Sequence, residues 1–167
     1  MIILDPISVR DEIEGLLKRF PDFRFLIKEV RKDQWDEIQY YIEQKFISKT
    51  LYKQAFHWSW ERFKEPRYSV RFVGDVYRYY KYLIKDKVIW FLVEDYMDKI
   101  WLYEGQSEFI FNKLIPELVH LREYYLVSKK YQWIACENHH NVLCVYGREI
   151  IQNIKKFEQE NFEEIIH

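Results

Sequence analysis

Apolar residues in the first twenty positions recur at the spacing of one helical face. Ser8, followed by Asp11 three residues later, is typical of a helix start, and Pro21 ends the run. The apolar positions on this face are Val9, Ile13, Leu16, Leu17 and Phe20. The pattern therefore predicts an amphipathic helix between Ser8 and Pro21.

The next segments alternate between strand and helix patterns. Residues 23–30, FRFLIKEV, alternate apolar and polar side chains as a half-buried strand does. Asp33 begins a second helical pattern, whose apolar side is formed by Trp35, Ile38, Ile42 and Phe46. Between Lys49 and Ile84 the pattern is weaker. HWSWERF fits a helix or an irregular segment, RYSVRFV fits an extended one, and DVYRYYKYLI fits a helix or a strand.

The second half of the chain carries stronger strand patterns. The runs KVIWFLV and KIWLYEG flank the polar EDYMD and predict an antiparallel hairpin. Ser107 begins a helix that extends to about Leu121 and is kinked at Pro116. Three strands follow, EYYLV, YQWIACE and VLCVYG, joined by SKK and NHHN. A last helix buries Ile150, Ile151, Ile154, Phe157 and Phe162.

These elements predict an α+β fold. Its mostly antiparallel sheet contains the hairpin and the C-terminal three-stranded meander, and the N- and C-terminal helices cover one face. A length of 167 residues suits a single globular domain over residues 1–167, which buries roughly 70% of its unfolded surface. The 49% apolar content and only four Gly and four Pro also predict a compact chain.

Composition predicts a cytoplasmic location. No apolar run approaches the roughly 20 residues of a membrane-spanning helix, and the N-terminal residues lack the pattern of a secretion signal. The two cysteines are expected to stay reduced in that compartment. We expect no membrane association and no cofactor.

Charge is nearly balanced overall but uneven along the chain. The formal net charge of −1 gives no general attraction to nucleic acid. Residues 62–87 nevertheless hold eight basic side chains against three acidic ones, whereas the tail after Phe157 holds four glutamates and no Lys or Arg. Within the basic segment, Tyr77, Tyr79, Tyr80 and Tyr82 alternate with Arg78, Lys81 and Lys85. This mixture suits single-stranded nucleic acid, but tyrosines in the core with basic residues in water are favoured.

The stretch CENHHN, residues 136–141, is the first candidate for chemistry. Cys136, His139, His140 and Cys144 are zinc-ligand types within nine residues. Tetrahedral zinc sites usually draw ligand pairs from two segments, however, and adjacent histidines at a hairpin tip point apart. A three-residue loop, 139–141, would set Cys136 opposite Cys144, whereas a two- or four-residue loop would not. Two small buried thiols are the favoured outcome.

The same stretch offers an acid–base pair. Glu137 with His139 or His140 could act as general acid and base, because a nearby carboxylate orients an imidazole. The alternative is a polar turn in which Asn138 and Asn141 adopt unusual backbone angles. No nucleophile, oxyanion donor or recognised catalytic motif accompanies the pair, which favours the turn.

Two further groups are candidate sites. Glu94, Asp95 and Asp98 in the predicted hairpin turn suit either a divalent cation or, as we favour, a solvated turn. His57-Trp58-Ser59-Trp60 suits either the core or an exposed aromatic anchor for a protein partner. The partner-binding candidates are Trp58, Trp60, Tyr79, Tyr80, Asn138, His139 and His140.

The stretch YYLVSKKYQWIACENHHNVLCVYG carries a resemblance. Its paired tyrosines, Trp133 four residues before Glu137, the Asn-His-His turn and the closing Gly147 resemble a family of uncharacterised small cytoplasmic proteins of Gram-positive bacteria. Some of these are similar to immunity proteins that neutralise polymorphic toxins. The resemblance covers about the last quarter of the chain. It implies a bacterial origin and an interaction role, with no catalytic residues to carry over.

Three functional hypotheses follow. The first is a non-enzymatic protein that binds another protein, in the manner of an immunity protein, with the acidic tail facing a basic nuclease toxin. The second is a small hydrolase or metal-assisted enzyme that uses Glu137, His139 and His140. The third is nucleic-acid binding through residues 62–87. The absence of a catalytic motif, the 19% aromatic content and the segregated charge favour the first.

Overall fold

The computed structural model describes residues 7–48, 58–95 and 99–167. Its strands are β1 (Ile27–Glu29), β2 (Arg67–Val70), β3 (Val88–Glu94), β4 (Ile100–Gln106), β5 (Tyr124–Ser128), β6 (Ile134–Glu137) and β7 (Leu143–Tyr146). Its α-helices are α1 (Val9–Arg19), α2 (Lys32–Phe46), α3 (Tyr80–Leu83), α4 (Ser107–Phe109) and α5 (Arg148–Glu160). The strands form one antiparallel sheet in the order β1-β4-β3-β5-β6-β7-β2, so the α+β prediction is confirmed.

The sheet is covered on both faces, which corrects the expectation of one covered face. The first face, which carries Ile89, Phe91 and Val93 of β3, packs against α1, α3, α4 and α5. The second face, which carries Trp90 and Leu92, packs against α2 and the segment 58–63. Because β3 and β5 are buried on both sides, their sequences are nearly continuous apolar runs.

The first and last α-helices form where the sequence predicts them. Ser8 caps α1, since its Oγ accepts a hydrogen bond from Asp11 N at 3.0 Å. α5 buries Ile150, Ile151, Ile154 and Phe157 as expected. Phe162 differs, because it lies beyond the helix in a 3₁₀ turn and is 66% exposed.

Two predicted elements are wrong in detail, and each error lies beside a proline. The predicted strand over residues 23–30 is a 3₁₀ turn, Pro21–Phe25, followed by the short β1. Pro21 favours that turn because its φ is already helical. The helix begun at Ser107 changes to a π turn and then a 3₁₀ turn, Ile115–Glu117, and ends before Leu121. Pro116 explains the change, since it has no amide hydrogen to donate.

The weakly patterned segment resolves into short elements. HWSWERF contributes a 3₁₀ turn, Ser59–Arg62, and RYSVRFV contributes the edge strand β2. DVYRYYKYLI becomes a 3₁₀ turn, Val76–Arg78, and α3. His57 and the rest of 49–57 lie outside the described residues. None of the described helices is long and apolar enough to cross a membrane.

The hairpin and the meander are confirmed. In the hairpin Val88 pairs with Gln106 and Glu94 pairs with Ile100, and residues 96–98 lie outside the described residues. In the meander Cys136 pairs with Cys144, as a three-residue loop requires, and both cysteines are buried and free.

Gly147, between β7 and α5, generates a stability prediction. Its φ is +125°, and a Cβ there would lie 2.7 Å from the backbone oxygen of Gln132. We expect Gly147→Ala to lower the free energy of unfolding by about 1–3 kcal/mol. Gly15→Ala is the matched control, because nothing lies within 4 Å of a Cβ in that helical position. It should raise stability by about 0.5–1 kcal/mol. Urea unfolding of both variants checks this, and equal midpoints would contradict it.

Candidate functional site

Four ring side chains converge at the end of the sheet where β6 turns into β7. They are Trp58, Trp60, His139 and His140, which we name the indole–imidazole surface. The His139 ring centroid lies 5.9 Å from Trp58, 6.3 Å from Trp60 and 4.0 Å from His140. Two segments about 80 residues apart in the sequence thus form one surface.

Asn138 explains why the two histidines point outward. Its side-chain Oδ1 accepts hydrogen bonds from the backbone N of His140 at 2.9 Å and of Val142 at 3.1 Å. Asn141 completes the turn with φ of 56°. The unusual angle is therefore found at Asn141, while Asn138 is buried inside the turn. Asn138 supports the surface and is not available to contact a partner, which corrects that prediction.

Trp58 and Trp60 are placed by the 3₁₀ turn that follows Trp58. Trp58 has φ of 56° and ψ of 28°, a left-handed conformation that is uncommon for a residue other than glycine. Its side chain remains 46% exposed, whereas Trp60 is half-buried against the second face. The turn therefore presents one indole to solvent and packs the other beneath it.

Glu123 is the buried carboxylate under this surface, and it is only 3% exposed. Trp60 Nε1 donates to its Oε2 at 2.9 Å, and the Tyr125 hydroxyl donates to its Oε1 at 3.0 Å. His139 Nδ1 lies 3.4 Å from Oε2. Burial raises the pKa of Tyr125, so its hydroxyl stays neutral and can donate. These donors offset the cost of burying the carboxylate.

Sequence reasoning missed Glu123. Glu123 directly precedes the apolar run YYLV, and a charged residue at that position is typical of an exposed strand end. The indole that donates to it, Trp60, is 63 positions away in the chain. The usable signal was its period-two spacing with Tyr125, which places both side chains on the same side of an extended chain.

Glu137 lies on the opposite face of the sheet from Glu123, the carboxylate under the indole–imidazole surface. Strand alternation puts Cys136 on the second face and Glu137 on the first. There the Glu137 carboxylate accepts a hydrogen bond from the Tyr124 hydroxyl, which is 2.8 Å from the Tyr80 hydroxyl. The carboxylate beside His139 is therefore Glu123, which corrects the proposed Glu137–His139 pairing.

The four predicted zinc-ligand residues are divided between core and surface. Cys136 and Cys144 are buried on the second face, and burial raises the pKa of both thiols. Cys144 Sγ accepts from Ser69 Oγ at 3.4 Å. His139 and His140 are exposed at the turn. Among the described residues, no group of three or more His, Cys, Asp or Glu is arranged to hold a metal ion.

The two described acidic residues of the predicted hairpin turn, Glu94 and Asp95, are buried and not solvated. Glu94 and Asp95 are each 9% exposed. Asp95 Oδ2 accepts a hydrogen bond from Trp101 Nε1 at 3.1 Å. Asp98, the third member of the predicted cluster, lies outside the described residues.

Tyr79 and Tyr80 are core residues, so neither is available to a partner at the surface. Tyr79 stacks on Phe72 with ring centroids 4.2 Å apart, and Tyr80 is fully buried against Phe111. Tyr82 is exposed. The basic segment therefore places these two tyrosines in the core with its charged side chains outside, which is the favoured alternative.

The described residues form an α+β fold whose antiparallel sheet is covered on both faces and carries the indole–imidazole surface at one end. Residues 6–158 match a family of unknown function, DUF6756, and the chain belongs to this family. No curated protein and no solved structure matches the chain.

Glu137 generates a prediction of pH dependence. Burial raises its pKa above the usual 4.5, although the Tyr124 hydrogen bond acts in the opposite direction. Because the folded state then holds the proton more tightly than the unfolded state, stability is lost as the pH rises through the raised value. We expect the free energy of unfolding of Glu137→Gln, relative to the original protein, to increase between about pH 4 and pH 7.

Urea unfolding at several pH values measures this difference. Glu163→Gln, at an exposed position of the C-terminal 3₁₀ turn, is the matched control and should show no such trend. Parallel pH profiles for Glu137→Gln and the original protein would refute the prediction.

Proposed function

We propose that this chain is a non-enzymatic protein that binds another protein through the indole–imidazole surface. One observation carries the proposal: two indoles and two imidazoles from distant segments meet at an exposed end of the sheet over one buried carboxylate. Tryptophan is among the residues most enriched where protein interfaces gain their binding energy.

The surface is held in place before any partner arrives. Glu123 accepts hydrogen bonds from Trp60 and Tyr125, and Asn138 braces the turn that carries the histidines. Side chains that are already ordered lose less conformational entropy on binding, which favours affinity. The exposed Trp58 supplies the large apolar area that a partner would cover.

The partner class that we propose is a bacterial toxin, so that the chain would act as an immunity protein. The resemblance of residues 124–147 supports this class. The acidic tail supports it less, because Glu158 and Glu164 accept hydrogen bonds from the Tyr68 and Tyr79 hydroxyls and so serve the fold. We therefore assign partner contact to the indole–imidazole surface and not to the tail.

Trp58→Ala tests the proposal. A tagged chain purified gently from its own cells should be recovered with a second polypeptide at fixed stoichiometry, as intact mass shows. With that partner purified, titration calorimetry should give a dissociation constant about 30-fold higher for Trp58→Ala, since a central tryptophan is typically worth ~2 kcal/mol or more.

Phe25→Ala is the matched control. Phe25 is an aromatic residue that is 85% exposed and lies next to β1, outside the proposed surface. Its variant should bind within about twofold of the original protein, the change expected at a position outside the contact. Recovery of a bare chain, with or without a bound zinc ion, would contradict the proposal, as would equal losses for the two variants.

A further inference from the structure

Three lysines line one groove at the opposite end of the sheet from the indole–imidazole surface. They are Lys81, Lys85 and Lys87, and the groove has a volume of about 560 Å³. This volume is in the range of pockets that bind small organic ligands. No described residue forms an ion pair with any of the three lysines. Their positive charge is therefore not neutralised by an ion pair with a described residue, and the Lys81 ammonium also lies 4.9 Å from the centroid of the Tyr82 ring.

The groove is built where three elements meet. Lys81 lies in α3, Lys87 immediately precedes β3, and Ser107 immediately follows β4. Val88 pairs with Gln106 across the two strands, and Ser107 N donates to the Lys87 backbone oxygen at 3.0 Å. The lysine backbones are thus fixed by the sheet and by α3, while their long side chains remain adjustable.

The remaining lining is partly acidic and partly apolar. Asp86 and Glu108 also line the groove, which leaves the three lysines in excess. Asp86 already accepts a hydrogen bond from Trp133 Nε1 at 2.8 Å. Val88 is 40% exposed and lies between the charged positions, beside the buried Phe111. The groove therefore combines ammonium groups with apolar surface.

We propose that this groove binds a nucleoside phosphate. The ammonium groups would pair with the phosphate oxygens, since charge-assisted hydrogen bonds to phosphate are strong. The apolar lining would contact the base, and the Glu108 carboxylate would accept hydrogen bonds from sugar hydroxyls. An inorganic phosphate ion is far smaller than the groove and leaves its apolar surface uncovered.

A small nucleotide fits better than a nucleic-acid strand. Lys85 also lines the adjacent groove between α3 and α5, and that groove contains Glu160, Glu164 and Lys156, which lies 3.9 Å from Glu160. A polyanion that extended from the lysines in this direction would meet two carboxylates. The net charge of −1 likewise gives no general attraction to a nucleic-acid strand.

Calorimetric titration of the full chain with AMP, GMP, CMP and UMP tests the proposal. At least one nucleotide should bind with a dissociation constant below about 1 mM, and more tightly than inorganic phosphate. The matching nucleoside without phosphate should show no binding. Lys81→Ala/Lys85→Ala/Lys87→Ala should weaken nucleotide binding at least tenfold, because it removes the three phosphate partners.

Lys18→Ala/Lys32→Ala/Lys45→Ala is the matched control, because it removes the same charge from exposed positions on α1 and α2. It should bind the nucleotide as the original protein does. Absence of binding by all four nucleotides, equal affinity for inorganic phosphate, or equal losses in the two triple variants would overturn the proposal. Circular dichroism of both triple variants verifies that they are folded. Partner binding through Trp58 is measured separately. The absence of nucleotide binding would therefore leave the partner-binding proposal unaffected, and the reverse also holds.

Discussion

Burial of β3 and β5 on both faces is the constraint on which the other elements depend. Each strand presents large apolar side chains to two sides, so two separate covers are needed. Four helices provide the cover on the first face, and α2 with the segment 58–63 provides the second. The second cover is the reason that Trp60 lies over the end of β5 and within reach of Glu123. The indole–imidazole surface therefore forms where the segment 58–63 packs on the second face.

The paired tyrosines of β5 serve opposite faces at the same end of the sheet. Tyr124 donates to Glu137 on the first face, and Tyr125 donates to Glu123 on the second. Each carboxylate would be costly to bury without such donors. Neighbouring residues in a strand point to opposite sides, so one dipeptide can satisfy two buried acids. This gives a physical reason for adjacent tyrosines before a Glu-Asn-His-His turn.

The sequence predicted elements that depend on residues near one another in the chain. It did not predict contacts between residues that are far apart in the chain. α1, α5, the hairpin and the meander follow from spacing, capping and turn residues within a few positions. The strand over residues 23–30 and the long helix after Ser107 were wrong because prolines outweighed the apolar pattern. At the site, the polar turn was predicted, and the cysteine register followed only once the loop length, which the sequence left open, was known to be three residues. The role of Glu123 was not, because its partners Trp60 and His139 come from other parts of the chain.

The facing cysteines have a practical consequence for the β6–β7 hairpin. Cys136 and Cys144 lie inside the hairpin whose turn carries His139 and His140, and burial keeps both thiols protonated. Alkylating reagents attack thiolates that solvent can reach. Cys136 is 0% exposed, so its alkylation must wait until β6 separates from the elements that pack on the second face. The rate of alkylation under native conditions therefore measures how fast this part of the sheet opens, and the measurement uses a cysteine that the sequence already contains.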